Sequence, residues 1–303
     1  MTGKSLICVC LKPVWRTEVP LRLEPAGGNI RTDEALRAAN PADLSALGLA
    51  FALRDAGAPG QVRVAAYTVG PPAWEDLLRE ARAHGVDEAV RVWGQGWPDG
   101  EADGFDGSAE TTRRRALALA RVLEPRAPVL MLAGERSGDG AHEAFAAFLA
   151  QALGAAFAHR VGAVSREGNG WRVVTRLQQG YGQEMVLPAP TVASVSARLP
   201  RPGDPSLPRW LASRQEEIPT IEVETGEGET GSAPSGGEVR TALRLPVPRV
   251  KPHPLPGRGL PAESRIQALV TLEAEGGGIV LAEADPARQA AAIERLLRER
   301  GYL

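Results

Sequence analysis

Residues Gly134–Phe145, GERSGDGAHEAF, directly follow the apolar run APVLMLA and feed an alanine-rich stretch. An apolar strand that ends in small residues and then opens a helix leaves backbone N–H groups free, where the helix dipole favours an anion. Gly134, Ser137, Asp139 and Gly140 are the best candidates for a phosphate site, because small residues let a ligand approach the backbone closely. The same stretch also reads as an ordinary strand-to-helix turn with Asp139 as the N-cap. It carries Glu135, Asp139 and Glu143 against one cation, Arg136. A phosphate would meet three carboxylates there unless Arg136 pairs with one of them or with the ligand.

Little else in the chain points to chemistry. Cys8 and Cys10 are the only cysteines. Two apart on a strand, they face one side and read as small buried thiols. The four histidines have no metal-ligand spacing, so no metal site is expected. No Ser/His/Asp or Cys/His set suggests hydrolysis. A net charge of −2 gives no electrostatic footprint for nucleic acid. No apolar run reaches the roughly 18 residues of a membrane span. The opening MTGKSLICVCLKP has no cleavage pattern of a signal peptide, so Ser5–Leu11 reads as the first strand of a cytoplasmic protein.

The elements that must position these residues alternate. Strands are expected at SLICVCL, QVRVAAYTVG, EAVRVW and APVLMLAG. Helices are expected from Pro41, with Asn40 as N-cap and Gly57 past the end, at PPAWEDLLREARAHG, at SAETTRRRALALARVLE, and over Gly140–Leu153. Trp74, Leu77, Leu78 and Ala81 fall on one helix face. Such alternation implies a parallel sheet covered on both faces, with ligands outside the carboxyl ends of the strands. The β-branched runs over residues 160–199, split by Gly-Asn-Gly and Gly-Tyr-Gly, read as an added β-hairpin or meander. From about Glu216 to Pro261 the chain is acidic and Gly/Ser-rich, then proline-rich, and reads as an extended or mobile arm. Asp285 and Pro286 cap a last helix with Ala290, Ile293, Leu296 and Leu297 on one face.

Several spaced pieces together resemble the β subunit of electron transfer flavoprotein. They are ICVCLKPVWRTEVPLRLEP, NPADLSALGLAFALRDAG, VAAYTVGPPAWEDLLREARAHGVDEAVRV, PVLMLAGERSGDGAHEAFAAFLAQALG, LPAPTVASVSARLPRPGDPSLPRWLASRQEEI and DPARQAAAIERLLRERGYL. The resemblance implies an α/β fold: a Rossmann-like parallel sheet with helices on both faces, similar to adenine nucleotide α-hydrolases. An added β-hairpin and an extended C-terminal arm with a terminal helix complete it. With the composition of the later stretch, the chain reads as a nucleotide-binding α/β domain over 1–218, a flexible acidic and proline-rich linker arm over 219–264, whose insert at about 225–262 is not typical of shorter family members, and a docking segment over 265–303. The resemblance implies a heterodimer whose α subunit holds the redox FAD, with this chain adding one wall around Val14–Thr17. It also implies AMP, or another adenine nucleotide, in this chain. The contacts carried over are Cys10; then Asn40, Pro41, Ala42 and Asp43; then Val69 and Gly70. The phosphate loop is Gly134, Glu135, Arg136, Ser137, Gly138, Asp139, Gly140, Ala141, His142, Glu143, Ala144 and Phe145. Leu207 would be the apolar anchor for a flavin-dependent dehydrogenase, with Trp210 beside it either exposed for binding or packed on its own domain. Electrons would pass to a quinone oxidoreductase or another acceptor, through a carrier subunit with no catalytic residues of its own.

Two other classes remain open on the residues alone. An ATP pyrophosphatase-like enzyme needs a Ser-Gly-Gly-x-Asp-Ser loop after the first strand, where this chain has LKPVWRTEV. A universal-stress-like sensor needs a longer Gly-x2-Gly-x9-Gly phosphate loop than GERSGDGAHEAFAAF supplies. Asn40, Pro41 and Asp43 are also explained by helix capping, Gly70 by a strand-to-helix turn, and Cys10 by core packing.

Overall fold

The structure, a computed structural model, describes residues 4–16, 18–19, 36–94, 97, 109–177, 181–224 and 285–299. The chain divides into two units, Met1–Arg240 and Thr241–Leu303. In the first unit, nine strands form one sheet. They are β1 (Ser5–Cys10), β4 (Val62–Val69), β5 (Glu88–Gly94), β6 (Leu130–Gly134), β7 (Ala156–Glu167), β8 (Gly170–Arg176), β9 (Gly182–Pro188), β10 (Thr191–Val195) and β11 (Thr220–Val223). Their order is β11-β5-β4-β1-β6-β10-β7-β8-β9. Every pairing from β11 to β7 is parallel; β7, β8 and β9 form the expected antiparallel meander. A separate antiparallel pair joins β2 (Pro13–Trp15) to β3 (Arg37–Ala39).

The central strands are apolar on both sides because both sides are covered. Ile7 and Val9 of β1, Val64 and Ala66 of β4, and Leu130 and Leu132 of β6 enter one cluster, which α1 (Pro41–Ala56) and α2 (Glu75–His84) complete with Ala46, Leu47, Leu77 and Leu78. Cys8, Cys10, Ala65, Tyr67, Met131 and Ala133 point the other way, against α3 (Ala109–Leu123) and α4 (Phe145–Leu153). Burial raises both thiols well above their ordinary range, so neither is a thiolate. One short helix, α5 (Leu207–Ser213), packs on α2. β11 lies at the start of the stretch read as an arm: its backbone is extended and pairs with β5.

The rest of that arm and the first part of the docking segment, 225–284 together, lie outside the described residues, as does Thr17 in the flavin-wall segment. In the second unit, α6 (Pro286–Glu299) begins where the sequence places it, and Asp285 Oδ1 accepts the Ala287 N–H at 3.0 Å. Among the described residues, no helix is long and apolar enough to cross a membrane, and no three His, Cys, Asp or Glu side chains are grouped to hold a metal ion.

Candidate functional site

A cavity of about 90 Å³ opens at the carboxyl ends of β1, β4 and β6. Cys10, Asn40, Asp43, Val69, Gly134, Arg136, Ser137, His142 and Phe145 line it, and all were singled out from the sequence. Pro41, Ala42, Gly70, Glu135, Gly138, Asp139, Gly140, Ala141, Glu143 and Ala144 belong to the same segments but are not among the lining residues. Leu11, Lys12, Tyr67, Trp74, Thr112, Arg115, Leu119 and Ala133 also line it and were missed. The sequence places Trp74 on one helix face with Leu77, Leu78 and Ala81, whereas it ends a 3-10 turn before α2. Thr112, Arg115 and Leu119 share one side of α3 at helical spacing, but mixed chemistry hides the stripe.

Asp43 clamps the site together. Its Oδ2 accepts the Lys12 N–H at 2.7 Å, and its Oδ1 accepts the Gly134 N–H at 2.9 Å and Asn40 Nδ2–H at 3.0 Å. One carboxylate thereby ties the ends of β1 and β6 to the first turn of α1. Burial pushes this carboxyl up to about 7, against the pull of its three donors. Gly134 must be glycine for this approach: a Cβ there would lie 2.3 Å from Asp43 Oδ1 and 2.7 Å from Ala42 Cβ.

Asn40 stands at the N-cap as expected, and the reading of Asp139 as a cap is corrected. Asn40 has the backbone of an N-cap, and its carbonyl accepts the Asp43 and Leu44 N–H groups, but its side chain makes no cap bond. Its amide donates instead to Asp43 and, at 3.0 Å, to the Arg136 carbonyl, which draws the 134–145 loop down onto α1. Asp139 is not a helix cap. α4 begins at Phe145 rather than Gly140, because Ala141 takes a left-handed conformation (φ 53°) and its N–H closes a turn on the Ser137 carbonyl. Ala144 then occupies the N-cap with no side-chain acceptor, so the first N–H groups of α4 have no side-chain cap.

The charges of the loop are matched from other elements. Asp139 pairs with Lys12 Nζ at 2.8 Å and accepts the Gly140 N–H at 2.6 Å. Burial alone would raise its carboxyl; the Lys12 charge and the bonds from Lys12, Ser137 and Gly140 hold it below the ordinary value. Glu143 meets Arg160 at 3.0 Å and His159 at 3.1 Å, and Glu135 meets Arg160 at 3.7 Å. Arg160 reaches them from a bulge in β7, where its φ is 54° and its N–H donates to Ser194 Oγ. Arg136, by contrast, has no carboxylate partner among the described residues, and it lines the cavity. The three loop carboxylates are thus answered from other elements.

A second surface lies on α5. Leu207 is 67% exposed and Leu211 53%, one helical turn apart. Trp210, 41% exposed, borders a groove against α2, with the Arg214 guanidinium over its ring.

Comparison with known proteins places this geometry. The electron transfer flavoprotein domain matches residues 29–225. The chain belongs to the electron transfer flavoprotein β-subunit family. The matched span takes in α1, the 134–145 loop and α5. The electron transfer flavoprotein subunit beta of Methylophilus methylotrophus is 27% identical over 239 residues, covering 77% of this chain and 86% of that protein. Subunit CarD of the caffeyl-CoA reductase–Etf complex of Acetobacterium woodii is 31% identical over 134 residues, covering 44% and 47%. Protein FixA of Azorhizobium caulinodans is 36% identical over 135 residues, covering 44% of each.

Proposed function

We propose that this chain is the smaller subunit of a heterodimeric electron transfer flavoprotein. The observation that carries the reading is the family match across 29–225, which spans both the cavity loop and the exposed face of α5. An α-type partner would hold the redox FAD, and this chain would contribute the Val14–Thr17 segment to its surroundings. Electrons would arrive from a flavin-dependent dehydrogenase that docks on Leu207 and Trp210, and leave to a quinone oxidoreductase or other acceptor. The chain would act as a carrier subunit rather than a catalyst. Its two free, buried thiols suit a reducing cytoplasm.

An adenine nucleotide such as AMP would sit in the cavity with a structural role. The residues present suit one. The N-terminus of α4 has no side-chain cap, Gly134 and Ser137 are small, and Arg136 is the cation that would meet the phosphate. Co-purification with the candidate α subunit, denaturation and mass spectrometry of the released nucleotides test the reading. One FAD and one AMP per heterodimer support it in full. Two FAD molecules would put a flavin in this cavity instead of AMP. FAD alone would remove the nucleotide from this chain, and neither complex nor flavin would overturn the electron-transfer reading.

A further inference from the structure

The nine-stranded sheet ends on β11 at one side and on β9 at the other. The two edges differ. β11 is four residues long, and Arg121 of α3 donates to the Glu224 carbonyl just past its end. β9 is seven residues long and has none of the devices that keep natural edge strands from pairing: no lysine, no proline before its last residue, and no bulge against β8. Its one charge, Glu184, pairs with Arg172 of β8. Val186 is 58% exposed, and Tyr181, just before the strand, 69%. Met185 and Leu187 pack against the core, so β9 is anchored on one face and open on the other. The Leu177 N–H donates to the Tyr181 carbonyl at 2.8 Å. Antiparallel alternation from that pair turns the backbone of Gln183, Met185 and Leu187 toward β8. It leaves the N–H and C=O groups of Gly182, Glu184 and Val186 facing away from the sheet. Such a row is completed by an extended strand of another segment.

A second copy of this chain is a poor occupant. A two-fold contact pairs β9 antiparallel with itself. The registers that pair most of β9 this way set Glu184 against its own copy or bring Pro188, which has no N–H, into the ladder. A partner that docks and leaves is also a poor occupant, because each departure would reopen an edge prone to aggregation. We propose that β9 is where the α-type subunit joins this chain: an extended segment of that subunit pairs with Gly182, Glu184 and Val186 and lays an apolar side chain beside Val186. This rests on the heterodimer reading given above, and it leaves α5 free for the dehydrogenase.

The test uses the full chain, free and co-purified with its candidate α-type subunit. Amide hydrogen exchange is read along β9, and subunit affinity by analytical ultracentrifugation. In the parent, the Glu184 and Val186 amides should exchange about 10-fold or more slowly in the heterodimer than in the free chain, the protection of a ladder hydrogen bond. Val186→Pro removes one outward N–H and spares the ladder to β8, so affinity should fall about 5-fold or more, the loss of one hydrogen bond. Val186→Lys puts the charge that guards natural edges at the same place and should lower affinity about 10-fold or more. Leu207→Lys, on α5, should keep the parent affinity, and an equal fall there overturns the proposal. Amides that exchange alike in both states, with parent affinity in both Val186 variants, overturn it and leave the electron-transfer reading intact. Two results name another occupant and overturn it as well: a free chain that is a dimer and becomes a monomer in Val186→Lys, or β9 amides already protected in a monomeric free chain, which would point to the chain's own 225–284 stretch. Failure of the two subunits to associate overturns both readings.

Discussion

Gly134→Ala is the sharpest probe of how the site is held. The added Cβ would meet Asp43 Oδ1 at 2.3 Å, Ala42 Cβ at 2.7 Å and the Ala42 backbone carbon at 3.0 Å. Relieving such contacts needs a separation of roughly 1 Å between the end of β6 and the first turn of α1. The same movement stretches the 2.9 Å bond from the Gly134 N–H to Asp43 beyond hydrogen-bond range. Overpacking costs about 1–3 kcal/mol and the lost bond about 1 kcal/mol, giving about 2–4 kcal/mol together. For a unit of this size that is a fall in Tm of roughly 5–15 °C. Gly138→Ala is the control, because its Cβ would meet only Val14 Cγ2 at 3.8 Å and Asn40 Oδ1 at 4.0 Å. Both substitutions lose the same backbone entropy from the unfolded chain, so that effect cancels in the comparison. Urea unfolding followed by circular dichroism reads the difference. If Gly134→Ala unfolds at the same urea concentration as Gly138→Ala, the clamp at Asp43 does not hold these segments together.

Other outcomes follow from the same geometry. Arg136→Gln should weaken AMP about 10- to 100-fold, the loss of a charge-assisted contact, and should flatten the salt dependence of binding; an unchanged affinity in calorimetry sinks the role given to this guanidinium. Asp43 is raised from an ordinary 3.8 to about 7 by burial, so its contribution to stability is complete below pH about 4 and lost as pH rises through about 7. Asp43→Asn should therefore remove one component of the decline in urea midpoint between pH 4 and 8, and an identical slope in parent and variant would refute the assignment. Leu207→Ala should leave thermal stability within about 0.5 kcal/mol, since the side chain is 67% exposed. It should slow electron transfer from the partner dehydrogenase in a stopped-flow assay, and an unchanged rate would exclude α5 from docking.

The parallel sheet was legible because burial on both sides makes each central strand apolar throughout: LICVC and LMLA admit no solvent face. The position of the cavity followed from that topology alone. What failed was local. Asn40 is the N-cap of α1 through its backbone, but its side chain makes no cap bond and its buried amide donates to the Arg136 carbonyl instead, a long-range partner the sequence does not announce. The start of α4 shifted by five residues because Ala141, a residue with no preference for it, adopts a left-handed turn. Arg160 was invisible as a site residue, since the β-bulge that turns it toward Glu143 leaves no mark in a run of alternating strand residues. Trp74 was placed on a helix face with Leu77, Leu78 and Ala81, but it ends the short 3-10 turn before α2 and its ring lies over Gly70, outside the cluster those residues enter.

The charge count shows why segment-wise reading misjudged the loop. Within 134–145 the carboxylates outnumber the cations, yet the loop is folded against Lys12 from the β1–β2 connection and Arg160 from β7, each placed by sheet order rather than by sequence distance. Lys12 has the larger burden, because the Asp139 side chain it neutralises is only 7% exposed. Removing one member of a mostly buried pair leaves the other charge uncompensated. Lys12→Met therefore subtracts a cation from the cavity and also exposes an incoming phosphate to the field of Asp139, whereas Arg136→Gln subtracts a cation only. AMP affinity should fall further in Lys12→Met than in Arg136→Gln, and Lys12→Met combined with Asp139→Asn should recover part of the loss. A Lys12 variant milder than the Arg136 variant, with no recovery in the double variant, would mean that the loop's anion preference is set by its backbone and not by this pairing.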